Sequence, residues 1–492
     1  MREFCPRGSR SPLTQSFILP FRFRWVFCQL ETLRRCFPPS IRRLLDELPT
    51  TLNETYERIL MEIPEEKWKH AHRLFQCLIV SFRPLFVEEL AEVLAIRFDS
   101  ETAPDLIMGW RPENLEDAIL SVCSSLISVV KVDASLVVQF AHFSVKEYLT
   151  SDRLVMAQAR SVSRYYAPTD TAHTILAQAC LSTLLELDEH INKERVKNYP
   201  LAFYAARHWF DHARIGDVSS WMRECMERLF DPDRPHFSAW IWLHDVNQCS
   251  WTRSMEDMSD RPSEPYATPL YYSAACGIRG LAERLIVVHP DDVNPPEGSI
   301  WAPLRVAVEK GYFDVAHMLL EHGANVNVRG YDNWTPLQYA SYRGISDGNI
   351  VQLLLEHGAD IECSNYRGQT PLHLASKAGH PKAVQLLLEF GADANKRMRY
   401  GWTPLHLAVL SGNVEAVRLL LQHGADVNDK DEWCRTALHC ASGFEVALVL
   451  LDCGANVNAQ DWNGERPFER ASRKGHHEVA QLLLKHCEVE SN

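Results

Sequence analysis

Three sets of side chains in this sequence are of types that do chemistry, and spacing decides what each can do. His142 and Ser144 lie two residues apart, which offers a general base beside a hydroxyl nucleophile. No third member that would orient the histidine is evident, so a hydrogen-bonded pair at a helix start explains them with fewer parts. Histidines form the second set: His373, His406 and His439 sit at one position of a repeat, His322, His357 and His423 at another, and His476 and His477 follow. A metal needs several ligands converging on one point, whereas evenly spaced histidines are spread along the molecule. Their expected role is a hydrogen bond to neighbouring loop backbone. The third set is aromatic and cationic: Trp301, Tyr331, Trp334, Tyr342, Arg343, Tyr366, Arg367, Lys377, Tyr400, Trp402, Trp433 and Trp462. Exposed Trp, Tyr and Arg dominate binding hot spots, which makes these twelve the candidate partner-binding residues.

Other chemistries are absent from the sequence. There is no Gly-x-x-x-x-Gly-Lys-Ser/Thr to cradle a nucleotide phosphate and no Gly-x-Ser-x-Gly hydrolase elbow. The fourteen cysteines include no Cys-x-x-Cys and no zinc-finger spacing. No catalytic residue, cofactor-binding residue or metal ligand is assigned, and a non-enzyme without cofactor is expected. Dispersed thiols suit a reducing compartment, the cytoplasm first and the nucleus second. The chain has 492 residues, 51 basic against 64 acidic, for a net charge of −13. That balance argues against general nucleic-acid binding. No apolar run approaches eighteen residues, so no membrane span is expected. Nor does a small-molecule substrate suggest itself; the expected partner is a protein. Phe17 to Phe27 is apolar but interrupted by Arg22 and Arg24, which does not fit a secretory signal. The basic residues that follow, including Arg34, Arg35 and Arg42, read as a solvated helix surface.

The aromatic and cationic set must be positioned by a repeat. A Thr-Pro-Leu phrase, followed by its proline, gives Pro269, Pro303, Pro336, Pro371 and Pro404, then Ala437 in the same place, then Pro467, in steps of 34, 33, 35, 33, 33 and 30 residues. Threonine caps a helix start and proline fits the first helical position. Further on, Ala416, Val417, Leu419, Leu420 and Leu421 make the apolar face of a second helix, which Gln422-His423-Gly424-Ala425 closes with a glycine. The same stop recurs at Gly323, Gly358, Gly391 and Gly454. One such hairpin cannot bury its own apolar face, so neighbours must stack. Period and phrase resemble an ankyrin array of about seven repeats over 266–492. The first copy, ending in Val288-His289-Pro290, and the last, with Arg466 where threonine is expected, read as terminal caps. Ile345-Ser346-Asp347-Gly348 lengthens one inter-helix turn by two residues, and Ala441 to Val449 is short by about three. Both changes are expected to fall in loops, where they cost least. The resemblance implies that residues just before the Thr-Pro step form fingertips and residues late in the first helix line a concave face. That is where the twelve candidates lie.

Ahead of the array the fold class is mainly α, a winged-helix domain and a helical spacer preceding the solenoid. Ala71, Leu74, Phe75 and Leu78 recur at helical spacing, as do Val87, Leu90, Ala91 and Leu94, and Leu115, Ala118, Ile119 and Val122. Leu126 to Val132 and Leu136 to Phe140 read as a β-hairpin. Three helices and a hairpin over 67–155 describe a winged helix. Its closing run Phe140-Ala141-His142-Phe143-Ser144-Val145-Lys146-Glu147-Tyr148-Leu149 is similar to the end of the winged-helix domain that follows fungal NACHT modules and occurs in GPI-inositol deacylases. Its third helix carries Glu113, Glu116 and Asp117, with no Lys or Arg from Pro112 to Val130, the wrong sign for phosphates. Residues 23–66, with Phe23 to Leu30, Leu44 to Leu52 and Tyr56 to Leu60, resemble the C-terminal helices of a NACHT nucleotide-binding domain of the signal-transducing ATPase (STAND) class, and 1–22 has no assigned structure. Residues 156–246 read as a helical spacer; its Trp209, Trp221, Trp240 and Trp242 are expected to be core rather than a ligand box. Residues 247–265 form a polar linker.

The expected function is a non-catalytic adaptor or sensor fragment that binds a protein through the repeats. Two rivals differ from it. One is a truncated form of a NACHT NTPase receptor, in which nucleotide binding would lie in a missing upstream domain; the other is a nuclear DNA-associated cofactor acting through the winged helix.

Overall fold

The computed structural model describes residues 51–98, 104–111, 114–132, 135–156, 159–215, 220–244, 259, 262, 264–296, 299–330, 333–344 and 348–490. Phe23 to Thr50, Glu113 and Tyr331, all used in the reading above, lie outside them. The chain divides into two compact units, one running to residue 245 and the other starting at residue 264.

The first unit begins with helix α1 (Leu52–Met61), capped by a reciprocal pair in which the Glu54 N–H donates to Thr51 Oγ1 and the Thr51 N–H to Glu54 Oε2. Helices α2 (Trp68–Val80), α3 (Val87–Leu94) and α4 (Leu115–Cys123) follow. Strands β1 (Leu85–Phe86), β2 (Ile96–Arg97), β3 (Asp105–Leu106), β4 (Ile127–Val132) and β5 (Ser135–Phe140) alternate with and follow them. The hairpin β4–β5 pairs Val129 with Val138, and β1 adds along the other side of β5, giving the order β1-β5-β4. This is a winged helix with a three-stranded sheet; the two-residue β1 is too short to show as a pattern in the sequence. Helix α5 (Phe143–Leu149) closes it. Tyr56 of α1, in the stretch assigned to a preceding module, is buried here with its hydroxyl 2.7 Å from Ser144 Oγ.

The spacer does not stand apart. Helix α6 (Thr169–Leu185) packs against both α2 and α7 (Ala202–Ile215), and α8 (Ser220–Leu229) and α9 (Pro235–Leu243) complete the layer. A buried carboxylate ties the parts together: Glu92 on α3 accepts from the Leu201 N–H at 3.1 Å and from Thr183 Oγ1 at 3.2 Å, and Arg111 approaches it at 3.3 Å. Burial pushes Glu92 up to about 7, against the pull of those partners. Trp209 and Trp240 are fully buried, edge to face at 5.8 Å, with the Trp240 Nε1–H donating to the Ala206 carbonyl. These two rings are core, as the spacing implied.

The second unit is the repeat array. Its first helices are Pro269–Cys276, Pro303–Lys310, Pro336–Arg343, Pro371–Ala378, Pro404–Ser411, Ala437–Cys440 and Pro467–Arg473. Its second helices are Arg279–Val288, Phe313–Glu321, Asn349–Glu356, Pro381–Glu389, Val414–Gln422, Phe444–Asp452 and His477–Glu490. Leu420 shows how one unit closes: it is fully buried, and its carbonyl accepts from the Ala425 N–H across Gly424, whose φ of +85° a side chain would strain. Truncating such a leucine costs about 2–5 kcal/mol. At the last first helix, where threonine is missing, Glu469 Oε2 accepts from the Arg466 N–H instead.

One expectation is corrected. In the long repeat the first helix ends at Arg343 and the second begins at Asn349, and residues 345–347 between them lie outside the described residues. The short repeat loses its residues from a helix: Ala437–Cys440 has four residues where its five predecessors have eight, and the connection at 441–443 is not shortened. A whole turn of the first helix is deleted, while the second helix, Phe444–Asp452, keeps its nine residues.

Candidate protein-binding groove

Two ladders of side chains hold successive repeats in register, and neither was read as a ladder from sequence. In the first, His373 Nδ1 accepts from the Thr370 N–H at 3.3 Å, and its Nε2–H donates to the Trp402 carbonyl of the next repeat at 3.2 Å. His406 reaches the Arg435 carbonyl and His439 the Glu465 carbonyl in the same way. Gln338 substitutes its amide, with Oε1 accepting from the Thr335 N–H and Nε2 donating to the Gln369 carbonyl. Burial holds His373 down at about 4 and lowers His406 and His439, so all three serve as neutral rings. The other histidine series caps its own helices, His322, His357 and His423 each donating Nδ1–H to the carbonyl four residues back. In the second ladder Asn395 Oδ1 accepts from the Asp426 N–H and its Nδ2 donates to the Gly424 carbonyl; Asn428 repeats both contacts one repeat on.

The fingers ahead of each Thr-Pro step are turns built on one polar residue. Asp431 Oδ1 accepts from the N–H groups of Trp433 and Arg435, Asp461 from those of Asn463 and Glu465, and Asn365 from those of Arg367 and Gln369. Backbone bonds join neighbouring fingers: Arg399 N–H to the Arg367 carbonyl, Glu432 N–H to that of Tyr400, and Trp462 N–H to that of Trp433. The fourth finger position turns left-handed, as Gly368 and Gly464 or, at φ 59° and 58°, as Asn333 and Cys434. Tyr400 adopts φ 67° one position earlier, which is rare for so bulky a residue.

Between fingers and first helices runs a groove. A hollow of about 260 Å³ takes in Trp334, Tyr342 and Leu374. A larger one of about 660 Å³ takes in Tyr400, Trp402, Leu407, Leu410 and Trp433. The two share Tyr366, Arg367, Gln369 and Lys377 along their walls and so run into each other. Eight of the twelve candidates therefore line one surface. Trp334 packs edge-on to Tyr342 at 5.6 Å, and Tyr400 lies 5.4 Å from Trp433 across adjacent fingers. The Arg435 guanidinium, bound to buried Asp431 at 2.6 Å, covers the rings of Trp433 and Trp402.

The remaining candidates lie elsewhere. Trp301 is half-buried against Tyr271 and Tyr266 of the first repeat. Arg343 is exposed but lines neither hollow, and Trp462, 72% exposed, stands one finger beyond. Sequence reasoning missed Met398, Arg399, Leu407, Leu410 and Arg435. A register argument finds three of them: Leu410 falls 33 residues after Lys377, Arg399 falls 33 after Tyr366, and Arg435 falls 33 after Trp402.

His142 and Ser144 make a helix start. His142 Nδ1 accepts from the Ser144 N–H at 3.2 Å and lies 2.6 Å from Ser144 Oγ, which is buried against Tyr56. Asp117 on α4 is exposed and accepts from the Asn114 side chain. Among the described residues no helix is long and apolar enough to cross a membrane.

Residues 270–365, 337–431 and 428–492 match the family profile of ankyrin repeats, and residues 56–160 match that of the GPI inositol-deacylase winged helix domain. Azaphilone pigments biosynthesis cluster protein L of Monascus ruber is 32% identical over 298 residues, 57% of this chain and 61% of that protein. Alpha-latrocrustotoxin-Lt1a of Latrodectus tredecimguttatus is 32% identical over 72 residues, 15% of this chain and 5% of the toxin. Protein phosphatase 1 regulatory subunit 12A of Mus musculus is 37% identical over 67 residues, 14% of this chain and 6% of that protein. The chain thus spans about three fifths of the first relative's length and about a twentieth of the others'.

Proposed function

We propose that this chain is a non-catalytic adaptor or sensor fragment that captures a protein partner in the groove of its ankyrin array. The observation that carries the reading is convergence. Eight exposed or half-buried aromatic and basic residues, at repeat positions that the fold leaves free to vary, line one continuous groove across four successive repeats. The neutral, backbone-bonded histidines keep those repeats in register, which gives a preformed surface and lowers the entropy cost of binding. In a receptor of the NACHT type, which residues near Phe23 to Leu60 resemble, such an array would be the sensing end. The relative named for an azaphilone pigment cluster suggests a second setting, an accessory binding protein beside biosynthetic enzymes.

The test is cross-linked capture in the source cells with the full chain and with its Tyr342→Ala/Tyr366→Ala/Trp402→Ala variant. Proteins recovered with the parent are expected to fall at least tenfold with the variant, while circular dichroism is unchanged. Equal recovery by the two overturns the reading.

A further inference from the structure

We infer that the groove is a receptor for an acidic, extended protein segment bearing apolar side chains; this rests on the adaptor reading and adds the chemistry of the partner. The first ground is charge. Arg367, Lys377 and Arg399 line the groove and make no ion pair among the described residues, while close by Lys396 is held by Glu362, Arg397 by Asp429 and Arg435 by Asp431. No Asp or Glu is among the described residues that line it; Glu432, at the finger position one repeat after Arg399, is not part of the wall. In a chain of net charge −13, an acid-free stretch with three unpaired cations reverses the local sign. Carboxylates are the complementary groups, and the two guanidinium forks can take them in pairs.

The second ground is the floor. Trp402 and Leu410 present apolar surface between those cations, and Leu410 is 52% exposed. Leucine left open on a helix beside aromatic rings fits an apolar side chain of a ligand. The third is strain. Tyr400, 57% exposed, is kept in the left-handed region with its ring beside Trp433 on the groove wall, at a position where binding rather than folding accounts for a bulky residue.

Alternation of cation and apolar surface separates a peptide from a nucleic acid. A polynucleotide puts a phosphate on every residue and is met by a continuous basic track. Here the cations are interrupted by leucine and methionine, and the whole chain repels a polyanion.

The experiment is selection of a displayed library of random dodecapeptides on the full chain, followed by binding of the enriched peptides to the Lys377→Glu/Arg399→Glu and Leu410→Asp variants, with an oligothymidylate as the polyanion control. Enriched peptides are expected to be net acidic with Leu, Ile or Phe between the acids. They should bind at least tenfold more weakly to either variant and lose affinity as salt rises. No enrichment, enrichment without acidic bias, or equal binding to the variants overturns the inference, as does oligothymidylate binding tighter than the best peptide. If those results appear while cross-linked capture still depends on Tyr342, Tyr366 and Trp402, the adaptor reading stands and this one falls.

Discussion

The Nε2–H of His373 donates to the backbone carbonyl of Trp402, so a buried ring of one repeat holds the groove floor of the next. The two bonds together need a neutral imidazole, because Nδ1 accepts from the Thr370 N–H only while it carries no proton.

Acid should therefore loosen the array. Burial depresses His373 from 6.5 to about 4, so its contribution is full above 6.5 and is lost as the pH falls towards 4, about 3 kcal/mol in all. His406 and His439 shift in the same direction. Gln338 does the same work without a titrating group, which supplies the control. The His373→Gln/His406→Gln/His439→Gln variant is expected to match the parent within about 1 kcal/mol at pH 7 and to lose less stability by pH 4.5. Urea unfolding at the two pH values reads the difference; equal acid sensitivity in both proteins would exclude the ladder as its source.

Glu92 acts in the opposite direction in the first unit. Its folded value is raised from 4.5 to about 7, so its contribution is present below 4.5 and is lost as the pH rises through 7, about 3 kcal/mol. Burial lowers His212 to about 3, and His212 bonds His173 at 2.7 Å; this pair loses stability towards acid in parent and variant alike. The expected outcome is that the difference in thermal midpoint between Glu92→Gln and the parent grows in favour of the variant from pH 5 to pH 8. A difference that stays constant with pH would count against a titrating Glu92.

Cys434 and Tyr400 both adopt positive φ without being glycine. Replacing Cys434 by glycine, the residue found at the matching positions 368 and 464, should raise array stability by about 0.5–1 kcal/mol, the relief of left-handed strain less the added freedom of the unfolded chain. Tyr400→Gly should gain a similar amount yet bind the selected peptides more weakly. Stability and affinity moving together would mean that Tyr400 is not held strained for binding.

Asn395 makes two bonds to the next repeat, to the Asp426 N–H and the Gly424 carbonyl. Asn395→Ala is expected to cost about 1–2 kcal/mol in urea unfolding. It should also broaden the array transition, because neighbour coupling is what makes stacked repeats unfold together. An unchanged midpoint and slope would show the ladder to be dispensable.

Much of this was legible. The Thr-Pro-Leu period and the glycine stops place the helices of the central repeats, because capping is local chemistry written next to the residue that needs it. Helical spacing in α2, α3 and α4 and the valine-rich hairpin give the winged helix in the same way. What escaped depends on partners distant in sequence. Glu92 gives no sign of docking on Thr183 and Leu201, since that contact spans about a hundred residues. Trp301 and Trp334 have the same composition signal, yet one packs on the first repeat and the other lines the groove. Leu410 carries no aromatic or charged signal to single it out, although its register with Lys377 places it on the open face. The deletion after Ala437 was assigned to a loop because length alone does not say which element yields.

That deleted turn sets an end stop. The late first-helix position is held in turn by Glu309, Tyr342, Lys377 and Leu410, and at the next repeat the helix ends at Cys440 before reaching it. Towards one end of the groove this position thus holds Glu309, which is paired with Arg305, and at the other end the floor lacks a step. At roughly 8–10 Å per stacked repeat, three steps from Trp334 to Arg435 measure about 25–30 Å, or about eight residues of extended chain. If an acidic segment docks as inferred above, the array is expected to act as a ruler for its length, and the two unlike ends to give it a direction.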